Sequence, residues 1–448
     1  MKLTFYGAVK MVTGSNYLFE TGKTKILVDC GLHQGSNFCE RHNWEPFAYD
    51  PKEIDAIFVT HAHIDHTGRL PQLVKRGFRG AVYSTPPTRD AAELLLLDSE
   101  HLLAQEAQKF GKPILYTTDD VNQLMTRWKG VPYHEKITLG DITVTAFDSG
   151  HILGASFYVL EAEGKRVVIS GDLGNVPMPM LNPTEIVESA DYCLLESTYG
   201  GRVHENLTLR KDELEDAIEE VAQAGGTLMV PAFAMERTQE LLFELNDLVQ
   251  HGRIPAIPVF LDSPLAIKLT TVYQKYESYL NPETRARMKA GDEVFDFRGL
   301  RTTLTTDESK TINDVPQPKV IIAGSGMSNG GRILHHERRY LSDPKSMLLV
   351  IGYQSRGSLG RQLLDGKKTV KIFGDEIPVR AKVRTISGYS AHADSSQLFE
   401  WVRHMRDTLK RVFMVHGEEN EARSLADRII TDLAIDAHIP DLGETVVL

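Results

Sequence analysis

A chain of 448 residues is too long for one ordinary hydrophobic core, so two or three domains are expected. Hydrophobic residues make up 42%, ordinary for a globular protein, and no apolar run approaches the ~18 residues of a membrane-spanning helix. A net charge of −11 argues against a general nucleic-acid binder, yet it leaves room for a local basic groove and fits a site whose carboxylates hold cations.

Residues 1–10 run straight into a strand-like pattern, with no charged-then-apolar signal region. Residues 25–29 and 54–60 read as buried strands, the first ending at Cys30-Gly31. Cys30, Cys39 and Cys193 are odd in number and form no Cys-x-x-Cys pair, which points to a reducing cytoplasm and away from a disulfide framework. A helical pattern follows over 89–110. Strands are expected at 142–147, 156–160 and 165–170, with Gly164 in the turn between the last two. This half reads as stacked antiparallel strands with a few helices outside.

The texture changes after about residue 205. A helix at 211–224, a strand at 227–232, a helix at 237–250 and a strand at 258–261 lead on to strands at 319–324 and 347–352 with helical segments between them. Alternating strand and helix argues for a parallel sheet. The expected domains are therefore 1–205, an α/β domain over 206–384, and a return over 385–448. In that last part strands are expected at 383–386 and 411–415, and helices at 396–409 and 420–430.

The chemistry concentrates in His61-Ala-His63-Ile-Asp65-His66-Thr-Gly68, directly after the strand ending at Thr60. In an extended segment His61, His63 and Asp65 point one way and His66 points aside. Three imidazoles and a carboxylate so close together suit a borderline-soft divalent ion such as zinc. A surface histidine-rich loop seldom combines a strand, a tight turn and these ligand types in register. His151, Asp172 and His416 each stand where an apolar strand stops, beside a glycine. One such residue alone is ordinarily a satisfied core or turn group; three together with the first motif reverse that reading.

Residues 324–332 offer backbone amides, the hydroxyls of Ser325 and Ser328, and Arg332 at a helix start, which together make a candidate phosphate cradle. Asn329 breaks the Gly-x-Gly-x-x-Gly spacing, so a dinucleotide fingerprint is rejected. Arg356 and Arg361 are candidates for gripping further phosphates, or equally for ion pairs.

The set as a whole resembles the metallo-β-lactamase superfamily. Asp29 matches its first motif, the His61–His66 run its second, His151 its third, Asp172 its fourth and His416 its fifth. Glu196 in Leu195-Glu196-Ser-Thr-Tyr199, His392 in Ser-Ala-His392-Ala-Asp394, and His416 again resemble motifs A, B and C of the β-CASP branch. So do Pro231-Ala-Phe-Ala234 with Arg237 and Gln239-Glu240, Asp262-Ser-Pro264, and the 324–332 stretch. Met235-Glu236 departs from the small residue or glycine expected before Arg237. His33, often aromatic in relatives, is read as loop packing.

The resemblance implies an α/β fold: a metallo-β-lactamase αββα sandwich with an inserted α/β (β-CASP) cap domain. It implies two zinc ions, the first on His61, His63 and His151, the second on Asp65, His66 and His416, with Asp172 bridging them and Asp29 ordering the ligand loop. It further implies hydrolysis of RNA phosphodiester bonds by a hydroxide shared between the metals. Asp65 would orient that hydroxide, and His392, held by Glu196, would be the general acid. A histidine at motif C goes with RNA-processing members, so single-stranded RNA is the expected partner; homodimers occur in the branch. Three alternatives stay open: a hydrolase of small esters or thioesters, a DNA nuclease of the same fold, and a non-catalytic scaffold.

Overall fold

The computed structural model describes residues 1–35, 37–204, 209–352, 354–355 and 357–448. The chain divides into two compact units, Met1–Val203 with Ala391–Leu448, and His204–Ser390.

The first unit opens with β1 (Lys2–Phe5), β2 (Tyr17–Glu20), β3 (Lys25–Val28), β4 (Ala56–Phe58), β5 (Ala81–Ser84) and β6 (Trp128–Gly130). It continues with β7 (Lys136–Leu139), β8 (Ile142–Asp148), β9 (Ser156–Ala162), β10 (Lys165–Ile169) and β11 (Tyr192–Glu196). The second unit contains β12 (Thr227–Pro231), β13 (Val259–Asp262), β14 (Leu300–Thr302), β15 (Lys319–Ala323), β16 (Met347–Val350), β17 (Thr369–Ile372), β18 (Asp375–Pro378) and β19 (Lys382–Thr385). The chain then returns to the first unit with β20 (Arg411–Val415), β21 (Asp436–His438) and β22 (Thr445–Val447).

Two seven-stranded sheets form the first unit, in the orders β22-β1-β2-β3-β4-β5-β6 and β21-β20-β11-β10-β9-β8-β7. Strict alternation of apolar side chains gives the second sheet two buried faces. Phe413 and Val415 pack inward with Phe5, Phe19, Ile26, Val144, Leu160 and Leu194. Val412 and Met414, one residue out of phase, pack with Leu398 and Val402 of helix Ser395–Arg403 and with Leu425 and Ile429 of helix Glu419–Leu433. Glu163 and Gly164 both take positive φ between β9 and β10, as a tight turn matched to the strand twist requires.

Antiparallel pairing, expected throughout this half, holds only for part of it. β3, β4, β5 and β6 pair parallel in succession, as do β10, β11, β20 and β21. Parallel neighbours need a crossover, and helices Leu70–Lys75 and Pro86–Phe110 lie in the connections that follow β4 and β5.

The second unit carries a six-stranded sheet, β14-β13-β15-β12-β16-β19, in which every pairing is parallel, and a separate β17-β18 hairpin. Met229, Phe260, Ile321 and Leu348 bury one face against Ile333 and Leu341. The expected boundary after residue 384 falls within β19. That strand pairs Met347↔Lys382 through Val350↔Thr385, so the unit boundary lies beyond it. Helix Ser395–Arg403 is shorter than its expectation and helix Glu419–Leu433 longer. Among the described residues no helix is long and apolar enough to cross a membrane.

Phe413 is 1% exposed and its ring lies 5.4 Å from that of Phe5 across the two sheets. Phe413→Ala is expected to cost about 3–5 kcal/mol and Phe413→Leu clearly less, read as the drop in the unfolding midpoint.

Candidate metal centre

The first unit gathers the predicted ligands at the ends of its strands. His61 and His63 follow β4, His151 follows β8, Asp172 follows β10 and His416 follows β20. The run after Thr60 does not stay extended. It turns into helix Ile64–Thr67 after His63, so Asp65 and His66 sit on one helical turn and leave the direction taken by His61 and His63. Asp65 therefore groups with His66, which corrects the expectation of a shared direction with His61 and His63.

Donor atoms of His61, His63, His151 and Asp172 form one set lying within 4.8 Å of one another, and those of Asp65, His66 and His416 form a second. Asp172 faces both. Its Oδ2 lies 3.4 Å from His61 Nε2 and 3.6 Å from His151 Nε2, and its Oδ1 lies 3.4 Å from His66 Nε2 and 3.7 Å from His416 Nε2. His63 Nδ1 stands 3.0 Å from His61 Nε2 and 3.4 Å from His151 Nε2. Asp65 Oδ2 is 3.7 Å from His416 Nε2.

The far nitrogen of several rings is held from behind, which aims the other at the centre. His66 Nδ1 lies 2.8 Å from Asp29 Oδ2, His416 Nδ1 lies 2.9 Å from Ser15 Oγ, and His151 Nδ1 lies 3.2 Å from the Ala391 carbonyl. Asp29 also accepts from the Thr60 amide and the Thr60 hydroxyl, both at 2.8 Å, and that hydroxyl stands 3.1 Å from His61 Nδ1. One buried carboxylate thus ties the end of β3 to both histidine sets. Gly31 permits this closeness: a Cβ there would come within 1.5 Å of the Asp65 carbonyl oxygen.

The donor set suits divalent cations. Burial holds His61 and His151 well below the ordinary histidine range and pushes His63 down to about 4, so these imidazoles are neutral and their lone pairs available. Burial alone would protonate Asp172. His416, His66, His61 and His392 outweigh it and hold the carboxyl well below its usual value. Burial likewise opposes charge on His66, but Asp172 and Asp29 overcome it and raise that imidazole well above its usual range. His66 Nε2 and Asp172 Oδ1 are buried without a hydrogen-bond partner among the described residues, a cost that a cation between them would remove.

Glu196 ends β11 and is fully buried. One of its carboxylate oxygens accepts from the Leu173 amide at 2.5 Å, and the other lies 3.1 Å from His392 Nδ1. His392 Nδ1 is also 3.9 Å from Asp172 Oδ2, so this imidazole borders the cluster, and its ring remains partly open to solvent.

The candidate phosphate residues belong to the second unit, where most of their polar groups are engaged. Ser325 Oγ accepts from the amides of Asn329 and Gly330, folding the loop on itself. Ser328 Oγ donates to the buried Glu337 carboxyl, and Arg332 bridges Asp262 to the carbonyls of Thr303 and Leu304. Arg361 pairs with Asp365 on its own helix. Arg356 lies outside the described residues. His33 is buried, its amide bonded to Asn43 and its ring packed on Gly14. Ser15 and Thr60, which hold the ligand rings from behind, carry no motif; only the fold brings Ser15 to His416.

Comparisons with known proteins identify the family of the chain. Residues 18–194 match a metallo-beta-lactamase superfamily domain, 238–363 a Beta-Casp domain, and 376–440 a Zn-dependent metallo-hydrolase RNA specificity domain. The chain is 38% identical to Ribonuclease TTHA0252 of Thermus thermophilus over 95% of each chain. It is 32% identical to Transcription termination factor FttA of Methanosarcina mazei, over its whole length and 72% of that protein. It is 30% identical to an RNase J-like protein of Methanocaldococcus jannaschii over 98% of each. A protein of unknown function from Enterococcus faecalis, known from a crystal structure, shares the fold at 12% identity with a TM-score of 0.58, over 100% of this chain and 99% of that one.

Thr60→Val keeps the shape of the side chain but removes its bond to Asp29. It is expected to weaken divalent-metal retention by about 10- to 100-fold, measured by competition with a chelator, without unfolding the protein.

Proposed function

The chain belongs to the β-CASP branch of the metallo-β-lactamase superfamily, and from that membership we propose that it is a zinc-dependent ribonuclease acting in RNA processing or decay. The observation that carries this reading is Asp172, whose two carboxylate oxygens face two different histidine sets. His61, His63 and His151 would hold one zinc, Asp65, His66 and His416 the other, and Asp172 both. When bound, a zinc pair supplies a nucleophilic water of lowered pKa and positive charge opposite the phosphate oxygens.

The chain's own residues then do the remaining work. Asp65, whose Oδ2 lies 3.7 Å from His416 Nε2, would orient the attacking oxygen toward phosphorus. His392 would hand a proton to the leaving oxygen. Glu196 acts through it, fixing Nδ1, and the Leu173 amide fixes Glu196 in turn. Glu196 and His392 have no evident use in a hydrolase of small esters, and a scaffold would not need every ligand in place. His416 at motif C favours RNA over DNA.

No phosphate role is given to Ser325, Ser328 or Arg332, because their polar groups are engaged in folding the loops of the second unit. Arg361 sits in an ordinary exposed ion pair.

The test is cleavage of one RNA and of single-stranded DNA of the same sequence, with and without chelator, alongside a metal assay. The wild type is expected to cleave RNA in preference to DNA and to lose activity on chelation. Absence of zinc from protein purified without chelator would sink the proposal. Asp65→Ala is expected to abolish cleavage. His392→Ala should keep its metal and slow turnover by ~10² or more; loss of zinc from that variant would mean the residue is a ligand and not the acid.

A further inference from the structure

The loops that follow three adjacent strands of the second unit, β15, β12 and β16, meet at one aromatic ring. Phe233 stands two residues beyond the end of β12, between buried Ala232 and Met235, and is itself 39% exposed. Its ring lies against two glycines. A Cβ on Gly326, in the loop after β15, would fall 2.6 Å from the ring, and one on Gly352, just after β16, would fall 3.8 Å from it. Gln354 ties those two loops together, its Nε2 donating to the carbonyls of Gly326 at 2.8 Å and Gly352 at 3.2 Å.

The Phe233 backbone is pinned as well. Its carbonyl accepts from the Thr238 hydroxyl at 2.8 Å, and the Ala234 carbonyl accepts from Gln239 Nε2 at 3.1 Å. Glu236 closes the loop at a φ of +67°, a region costly for a side-chain-bearing residue, and its buried carboxyl bonds to the Tyr273 hydroxyl. The ring is therefore held rigidly from behind with part of its surface left bare.

The position in the sheet is the second argument. β12 is connected to β13, past β15, while β15 is connected to β16, past β12. Connections that leave adjacent parallel strands in opposite directions open a crevice at their carboxyl ends, and ligands of α/β sheets bind there. A single exposed aromatic elsewhere would need no explanation. Here it stands just beyond the carboxyl end of β12, beside β15, on a glycine backing, since a side chain at 326 would displace the ring.

We propose that Phe233 is a stacking platform for a nucleobase of single-stranded RNA, backed by Gly326 and Gly352 and held by Gln354. This rests on the ribonuclease reading. Stacking on an aromatic face is indifferent to which base is presented, so the platform adds affinity without sequence preference.

The experiment compares the full-length wild type with Phe233→Leu and Phe233→Trp. It measures affinity for a single-stranded RNA oligonucleotide and for an abasic ribose-phosphate strand of equal length, together with the unfolding midpoint. Phe233→Leu is expected to weaken RNA binding by about tenfold. The same variant should leave abasic-strand binding and the unfolding midpoint unchanged, and Phe233→Trp should restore RNA binding. RNA affinity unchanged in Phe233→Leu, or an equal loss on both strands, would overturn the platform while leaving the ribonuclease reading intact. If the wild type neither binds nor cleaves RNA, the ribonuclease reading fails and the platform with it.

Discussion

Burying a carboxylate among imidazoles sets the terms for everything else in the first unit. Asp172 lies 2% exposed with histidines on both of its oxygens, and neither oxygen can turn to water. Such an arrangement is expensive unless positive charge answers the carboxylate and hydrogen bonds hold the rings in place. The structure supplies the second requirement through Asp29, Thr60, Ser15 and the Ala391 carbonyl, and His66, raised well above its usual range, answers part of the first. Asp29 and His416 take positive φ for the same reason: the chain must reverse sharply at each strand end to point a polar side chain inward.

The sandwich exists to bring those reversals together. β4, β8, β10 and β20 are far apart in sequence, yet each is followed by a residue of the cluster. The two-residue period of β20 shows how rigid this is. Phe413 and Val415 face the other sheet, Val412 and Met414 face the helices, and His416 comes next, its amide bonded to the Ala8 carbonyl. Slipping that strand by one residue would bury the wrong face and misplace His416 together.

The same logic of loops at strand ends operates in the second unit, on a different sheet. There the engaged side chains of Ser325, Ser328 and Arg332 stabilise the loops, and the feature left bare is an aromatic ring. The sequence offers the hydroxyls and the arginine of that loop as part of a phosphate cradle because residue type is visible in a sequence. Whether a hydroxyl is already bonded is not visible there: Ser325 is occupied by amides four and five residues ahead, and Ser328 by Glu337 on the following helix.

Local pattern determined a good deal here. Apolar runs ending at a polar residue located the strands β4, β8, β10 and β20 and the residues that follow them, because a buried strand and the turn that ends it are both short-range properties. The His61–His66 run announced a metal chemistry on its own. What the tertiary structure decided were matters of partnership: that β19 joins the second unit's parallel sheet, that Asp65 leaves the direction of His63 on a helical turn, that Asp172 stands between two histidine sets, and that Ser15 holds His416 from 401 residues away. Each of these depends on which segments lie beside each other in space, and that is set by the burial of whole faces, which no window of neighbouring residues contains.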